Sequence, residues 1–243
     1  MTGIRLFASD IDGCLTEPFA PFDLDLLAEL RRLTRRGDGP AFTLCTGRPL
    51  GYAEAMAQLL DVRLPILFEA GAGMFDPQSG VRRWHPDFGG AEQEAIAHIQ
   101  NWLEDLTRGT GLAVDRGKFT QAGLIGAETA EIETATGPVE RYVEENFPDF
   151  TVAHTPISID IMHRGLTKRE GLTWLAGELG IPLEATAFIG DTNGDIGALG
   201  VSGASFAPAN ASPEVKKLVG TVTTGRFTAA VLEAYSLCTA PPP

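Results

Sequence analysis

Phe7-Ala8-Ser9-Asp10-Ile11-Asp12-Gly13-Cys14-Leu15-Thr16 carries an apolar run, Ile4 to Ala8, into two carboxylates one residue apart, then a glycine and a threonine. An apolar run cut off this sharply reads as a buried strand. Acids at its carboxyl end lie where open α/β sheets place their ligands. Like charges this close are costly unless a cation or a proton compensates them. The pair is either solvated in a loop or holds a metal. The metal reading requires partners elsewhere in the chain.

Downstream, the pattern alternates. Leu24, Leu27, Leu30 and Leu33 fall at helical spacing, with Gly37 as a stop; Ala41 to Cys45 is a second apolar run ending in Thr46-Gly47-Arg48-Pro49. Gly51 to Leu60 reads as helix, and Pro65 to Phe68 as a third strand followed by Glu69-Ala70-Gly71-Ala72-Gly73. Strands alternating with helices predict a parallel, doubly wound sheet. After Asp76 the character changes. Val81 to Trp84 closes a small hairpin, and Ala95, Ile96, Ile99, Trp102, Leu103 and Leu106 form one helical stripe. Strands are expected at Leu112–Val114 and Phe119–Ile125, a helix opening at Gly137-Pro138, and alternating strands around Val152 and Ile159. This order predicts an α+β unit over residues 85–163, inserted into a core made of 1–84 and 164–243. The parallel pattern resumes with the capping box Thr167-Lys168-Arg169-Glu170, then the strand Ala185–Ile189 running into Gly190-Asp191-Thr192-Asn193-Gly194-Asp195. Ala204 to Phe206 is a last strand, Ser212-Pro213 starts a helix, Phe227 to Leu237 closes the fold, and Thr239 to Pro243 reads as an unstructured tail.

Four strand or helix ends thus present reactive groups: Asp10 with Asp12, Thr46-Gly47, Lys168, and Asp191 with Asp195. In a parallel sheet they converge on one crevice. Carboxylates, one cation and small hydroxyl or amide donors make a site for Mg²⁺ and a phosphate, since Mg²⁺ takes oxygen ligands and keeps several waters.

The 243 residues are 44% hydrophobic and 21% charged, the composition of an ordinary globular chain. A formal net charge of −13 argues against a nucleic-acid phosphate binder. Cys14, Cys45 and Cys238 have no disulfide or metal spacing. Together with the lack of a leader-like segment and of a bilayer-length apolar run, this leads us to expect a cytoplasmic protein without membrane or nucleic-acid partners, monomeric or homodimeric. His85, His98, His154 and His163 show no ligand spacing.

Asp10-Ile11-Asp12-Gly13-Cys14-Leu15-Thr16, Thr46-Gly47-Arg48, Gly165-Leu166-Thr167-Lys168 and Gly190-Asp191-Thr192-Asn193-Gly194-Asp195 resemble, in order, the four motifs of the haloacid dehalogenase superfamily. An insert between the second and third motifs resembles subclass IIB, as do Glu69-Ala70-Gly71-Ala72 and Pro208-Ala209-Asn210-Ala211. The resemblance implies a Mg²⁺-dependent phosphatase acting on a small phosphorylated metabolite of the phosphoglycolate or sugar phosphate type. It implies Asp10 as nucleophile and Asp12 as the proton carrier. Asp10, Asp12, Asp191 and Asp195 would form the metal site, with Asp10, Asp12 (through its backbone carbonyl) and Asp191 holding the ion and Asp195 orienting Lys168 or a metal-bound water. Thr46, Gly47, Arg48 and Asn193 would bind phosphate, with Lys168 neutralising the growing charge.

Two departures stand out. Gly194 occupies a position usually held by asparagine, with Asn193 one place earlier, and Ala70 also stands where asparagine is usual. The insert is expected to set specificity, with Asp115-Arg116-Gly117-Lys118 presenting cations to an anionic substrate. Three rivals remain: a phosphomutase of the same subclass, a metal- or phosphate-binding module without catalysis, and a nucleotide-binding oxidoreductase. The last lacks a Gly-x-Gly-x-x-Gly turn after the first strand.

Overall fold

The computed structural model describes residues 3–155 and 157–239. Contacts divide the chain into two units, Met1–His85 with Thr167–Pro243, and Pro86–Leu166.

The first unit begins with β1 (Leu6–Ser9), α1 (Leu24–Thr34), β2 (Ala41–Leu44), α2 (Leu50–Leu60) and β3 (Ile66–Phe68). Asp23 caps α1, its carboxylate accepting the Leu26 N–H at 3.0 Å. The antiparallel strands β4 (Gly73–Asp76) and β5 (Val81–Trp84) extend β3 into a three-stranded sheet, the small hairpin expected at Val81–Trp84.

The second unit contains α3 (Gly90–Leu106), β6 (Ala113–Val114), β7 (Gln121–Ile125), α4 (Thr129–Asn146), β8 (Phe150–Thr155) and β9 (Ser158–His163). Its sheet is antiparallel in the order β6-β7-β9-β8. Ile159 and Ile161 are buried while Ser158, Asp160 and Met162 are only half-buried, so one face of β9 packs inward. Ile96, Ile99 and Leu103 of α3, with Ile132, Val139 and Val143 of α4, supply the buried helical side. The rings of Trp102 and Tyr142 stack at 3.8 Å and pin the two helices together.

One sequence expectation fails here. The helix does not open at Gly137-Pro138; α4 starts at Thr129 and runs through Pro138. The buried stripe Ile132, Ala135, Val139 and Val143 continues across the proline, so packing overrides the breaker. The hydroxyls of Thr134 and Thr136 donate to the carbonyls of Ala130 and Ile132 at 2.7 and 2.8 Å.

The chain then returns to the first unit with α5 (Lys168–Glu178), β10 (Thr186–Ile189), α6 (Ile196–Val201), β11 (Ala204–Ala207), α7 (Pro213–Leu218), β12 (Thr221–Val222) and α8 (Phe227–Thr239). The main sheet is wholly parallel, in the order β12-β11-β10-β1-β2. Phe7, Ala187 and Ile189 face a core shared with α1, α2 and α8; Leu6, Ala8 and Phe188 face a second core with α5, α6 and α7. Helices on both faces explain why β1 and β10 are apolar and fully buried throughout. Tyr235 of α8 lies edge-on to Phe7 at 5.4 Å and donates its hydroxyl to the Pro40 carbonyl at 2.7 Å. The tail expectation fails at Thr239, which ends α8, and its remaining residues 240–243 lie outside the described residues.

The winding reverses at β1. From β1 the chain adds β2 on one side, and later adds β10, β11 and β12 on the other. Ligands of open α/β sheets bind at such a reversal, beyond the carboxyl ends of the strands. Asp10 follows β1 there and Asp191 follows β10.

Candidate active site

The carboxyl ends of β1 and β10 bring the two distant acid pairs together. Asp10 is buried, and its N–H donates to the Ile189 carbonyl at 3.1 Å, which ties the end of β1 to β10. Asp10 Oδ1 accepts the Ile11 N–H at 2.7 Å. Its Oδ2 lies 2.7 Å from the ammonium of Lys168, the first residue of α5. Thr167 caps that helix by accepting the Arg169 N–H at 3.2 Å and pairing with Glu170, which fixes where Lys168 emerges.

Asp195 holds the same ammonium from the other side. Lys168 Nζ donates to Asp195 Oδ1 at 2.6 Å. Asp195 Oδ2 accepts the N–H groups of Asp191 and Thr192, each at 3.0 Å, and the Thr192 hydroxyl at 3.2 Å. Asp195 is therefore a fully buried hub that orients Lys168 and shapes the loop carrying Asp191.

Asp10, Asp191 and Asp195 each offer a carboxylate oxygen, and these atoms lie within 4.8 Å of one another. Asp191 Oδ1 is buried and, among the described residues, has no hydrogen-bond partner. A buried carboxylate oxygen left unpaired beside two other acids is what a hard divalent cation satisfies. The residues therefore fit Mg²⁺, with Asp10 and Asp191 as the carboxylate donors. Gly13 makes this approach possible. It adopts φ +79°, and a Cβ there would fall 1.9 Å from Asp191 Oδ2. Asn210 holds the same turn by donating to the Gly13 carbonyl at 2.8 Å, while its Oδ1 accepts the Phe227 N–H at 3.2 Å.

The electrostatics follow from burial. Desolvation pushes the Asp10 carboxyl up to about 8, with Lys168 pulling the other way and Asp195 adding to the rise. Burial and then Asp195 raise Asp191 to about 7. For Lys168 burial opposes the charge, but Asp10 and Asp195 outweigh it and hold the ammonium well above its ordinary value. Burial also raises the thiols of Cys14 and Cys45, which therefore stay protonated core residues.

The remaining sequence-predicted residues divide. Thr46 is buried at the end of β2, its Oγ1 accepting the Arg48 N–H at 3.1 Å; Gly47 beside it is partly exposed. Arg48 is directed at Asp12: Nε donates to Oδ2 at 2.8 Å and Nη2 to Oδ1 at 2.7 Å. Nothing in sequence spacing signals that pair. Asn193 is exposed on the short turn before Asp195. In the second unit, Lys118 donates to Asp160 at 2.6 Å and to Gln121 at 3.0 Å, and Arg116 pairs with Glu104. Both cations of the 115–118 segment, expected to meet an anionic substrate, thus have acidic partners within their own unit.

Among the described residues, no helix is long and apolar enough to cross a membrane. A family model described as haloacid dehalogenase-like hydrolase matches residues 116–234. The phosphoglycolate phosphatase of Pyrobaculum aerophilum is 26% identical over 230 residues, covering 91% of this chain and 90% of that protein. The phosphoglycolate phosphatase of Methanothrix thermoacetophila is 28% identical over 218 residues, covering 88% and 87%. Among solved structures, Thermoplasma acidophilum 0175 superposes with a TM-score of 0.79 at 20% identity, covering 96% of this chain and 97% of the other. A haloacid dehalogenase-like hydrolase from Bacteroides thetaiotaomicron gives a TM-score of 0.77 at 18% identity, covering 96% and 99%. The solved structures share the fold, and the family model and the two phosphatases carry the chain's similarity to haloacid dehalogenase-like hydrolases.

Proposed function

With the haloacid dehalogenase-like hydrolases as premise, we propose that this chain is a Mg²⁺-dependent phosphomonoesterase for a small phosphorylated metabolite of the phosphoglycolate or sugar phosphate type. The observation that carries the reading is the Asp10–Lys168–Asp195 chain beside the unpaired Asp191 oxygen.

In this reading an Asp10 oxygen attacks phosphorus in line, and the bond to the ester oxygen breaks. Asp12 gives its proton to the leaving alkoxide. Asp12 then takes a proton from water as that water attacks the phosphorus of the aspartyl-phosphate. The phosphorus–Asp10 bond breaks, inorganic phosphate leaves, and Asp10 is regenerated. Thr46 and the Gly47 amide bind the phosphoryl oxygens. Lys168 is held by Asp195 on one side and faces Asp10 on the other, so its charge is in place before charge develops on the nucleophile and phosphoryl group. Asp10, Asp191 and the Asp12 backbone carbonyl would hold Mg²⁺, which supplies Lewis-acid neutralisation of the phosphoryl charge.

Turnover of para-nitrophenyl phosphate with Mg²⁺ tests the activity, and chelation should stop it. Asp10→Asn should abolish turnover while the protein stays folded; persistent turnover would overturn the nucleophile assignment. A panel of phosphorylated metabolites then ranks substrates. Release of inorganic phosphate, rather than an isomeric ester, separates a phosphatase from a mutase.

A further inference from the structure

We infer that Arg48 is a positioning residue for Asp12 rather than an anchor for phosphate; the inference rests on the phosphatase reading above. The guanidinium engages both Asp12 oxygens through Nε and Nη2, at 2.8 and 2.7 Å. Among the described residues no other group hydrogen-bonds the Asp12 carboxylate. The direction of that carboxylate is therefore set by Arg48.

Arg48 is itself held on three sides. Its guanidinium carbon lies 4.9 Å from the centroid of the Tyr52 ring, in the first turn of α2. Its N–H donates to Thr46 Oγ1 at 3.1 Å, and its carbonyl accepts the Glu69 N–H at 3.0 Å. Residues on both flanks of the motif thus fix the backbone from which the fork extends. A proton carrier has to come within hydrogen-bond reach of the leaving oxygen. A planar, bidentate guanidinium fixes the plane of a carboxylate, which a single ammonium does not. The paired N–H groups cannot grip a phosphate while they grip Asp12.

Two esters and one ligand separate the roles. Arg48→Ala and Arg48→Lys are compared with the wild type on an alkyl phosphate, whose leaving group needs a proton, and on para-nitrophenyl phosphate, whose leaving group does not. Inorganic phosphate binding is measured on each by calorimetry with Mg²⁺. Positioning predicts that kcat on the alkyl ester falls about 10²-fold in both variants. The loss on the aryl ester should be smaller, and phosphate affinity should change by less than about threefold. Equal losses on the two esters, or phosphate binding weakened in step with the loss of activity, would overturn the inference while leaving the phosphatase reading intact. A wild type that turns over neither ester would overturn both.

Discussion

The Lys168 ammonium lies 2.7 Å from the Asp10 carboxylate in a setting where only 8% and 7% of the two side chains remains exposed. Removing the cation leaves Asp10 and Asp195 facing each other with nothing between them. Lys168→Met should therefore cost about 3 kcal/mol of stability, the scale for stripping one partner from a buried ion pair. It should also lower turnover by at least about 10²-fold. Chemical denaturation and steady-state kinetics check the two numbers. In an Asp10→Asn background the stability cost of Lys168→Met should shrink, because one of the stranded charges is gone.

The acid cluster makes metal binding depend on pH. Burial pushes the Asp10 and Asp191 carboxyls up to about 8 and about 7, against an ordinary value of 3.8. Below 3.8 folded and unfolded chains are both protonated. Above it the unfolded chain releases protons that the fold retains, so the metal-free protein loses stability as pH climbs towards 8. Under the phosphatase reading Mg²⁺ would bind the ionised carboxylates and displace those protons. The gain in Tm from saturating Mg²⁺ should be larger at pH 8.5 than at pH 6, reaching on the order of 5 °C. Equal gains at the two pH values would count against Asp10 and Asp191 as the ligands.

Ala70 sits at φ 57°, ψ 30°, in the left-handed region, and Glu69 before it has φ 47°. The strain is held by backbone bonds: Ala70 donates to the Thr46 carbonyl at 2.9 Å and Glu69 to the Arg48 carbonyl at 3.0 Å. Alanine bears a Cβ penalty there that glycine lacks and asparagine tolerates better. Ala70→Gly or Ala70→Asn should stabilise by about 0.5–1 kcal/mol, a rise of roughly 2 °C in Tm. Calorimetry showing a fall instead would mean that the Ala70 methyl makes a contact worth more than the strain.

Gly194 leaves room for the asparagine it replaces. A Cβ at this position meets only Thr192 Oγ1 at 3.7 Å, an ordinary van der Waals distance, and no left-handed φ stands in the way. Gly194→Asn should therefore fold at least as well as the wild type. Under the phosphatase reading the added amide should raise kcat/KM, since it offers one more donor near the phosphoryl group. The opposite result, a fall in kcat/KM with unchanged Tm, would show that exposed Asn193 already fills the role.

Much of the architecture was legible because burial writes itself into composition. Strands covered on both faces, such as Phe7 and its neighbours, must be apolar throughout, and the acids that end them mark the reversal of the sheet. The start of α4 was not legible, because Gly137 and Pro138 oppose helix locally while the Ile132-to-Val143 stripe favours it through packing. The Arg48–Asp12 fork was hidden for a different reason. Its partners lie on loops after β1 and β2, and no periodicity links residues whose proximity comes from strand pairing. The same holds for Lys118, whose partner Asp160 reaches it only through the pairing of β7 with β9.

The parallel register that sets Leu6 beside Thr186 has a consequence for synthesis. The ribosome makes β1 before the second unit, and β10, which leads into Asp191, only after the whole second unit has emerged. Contacts this distant along the chain form late and slowly. A nascent chain therefore carries Asp10 and Asp12 throughout synthesis of the second unit without Lys168, Asp191 or Asp195. The acid cluster is assembled only once Asp195 has been made, and the order of residues alone sets that delay.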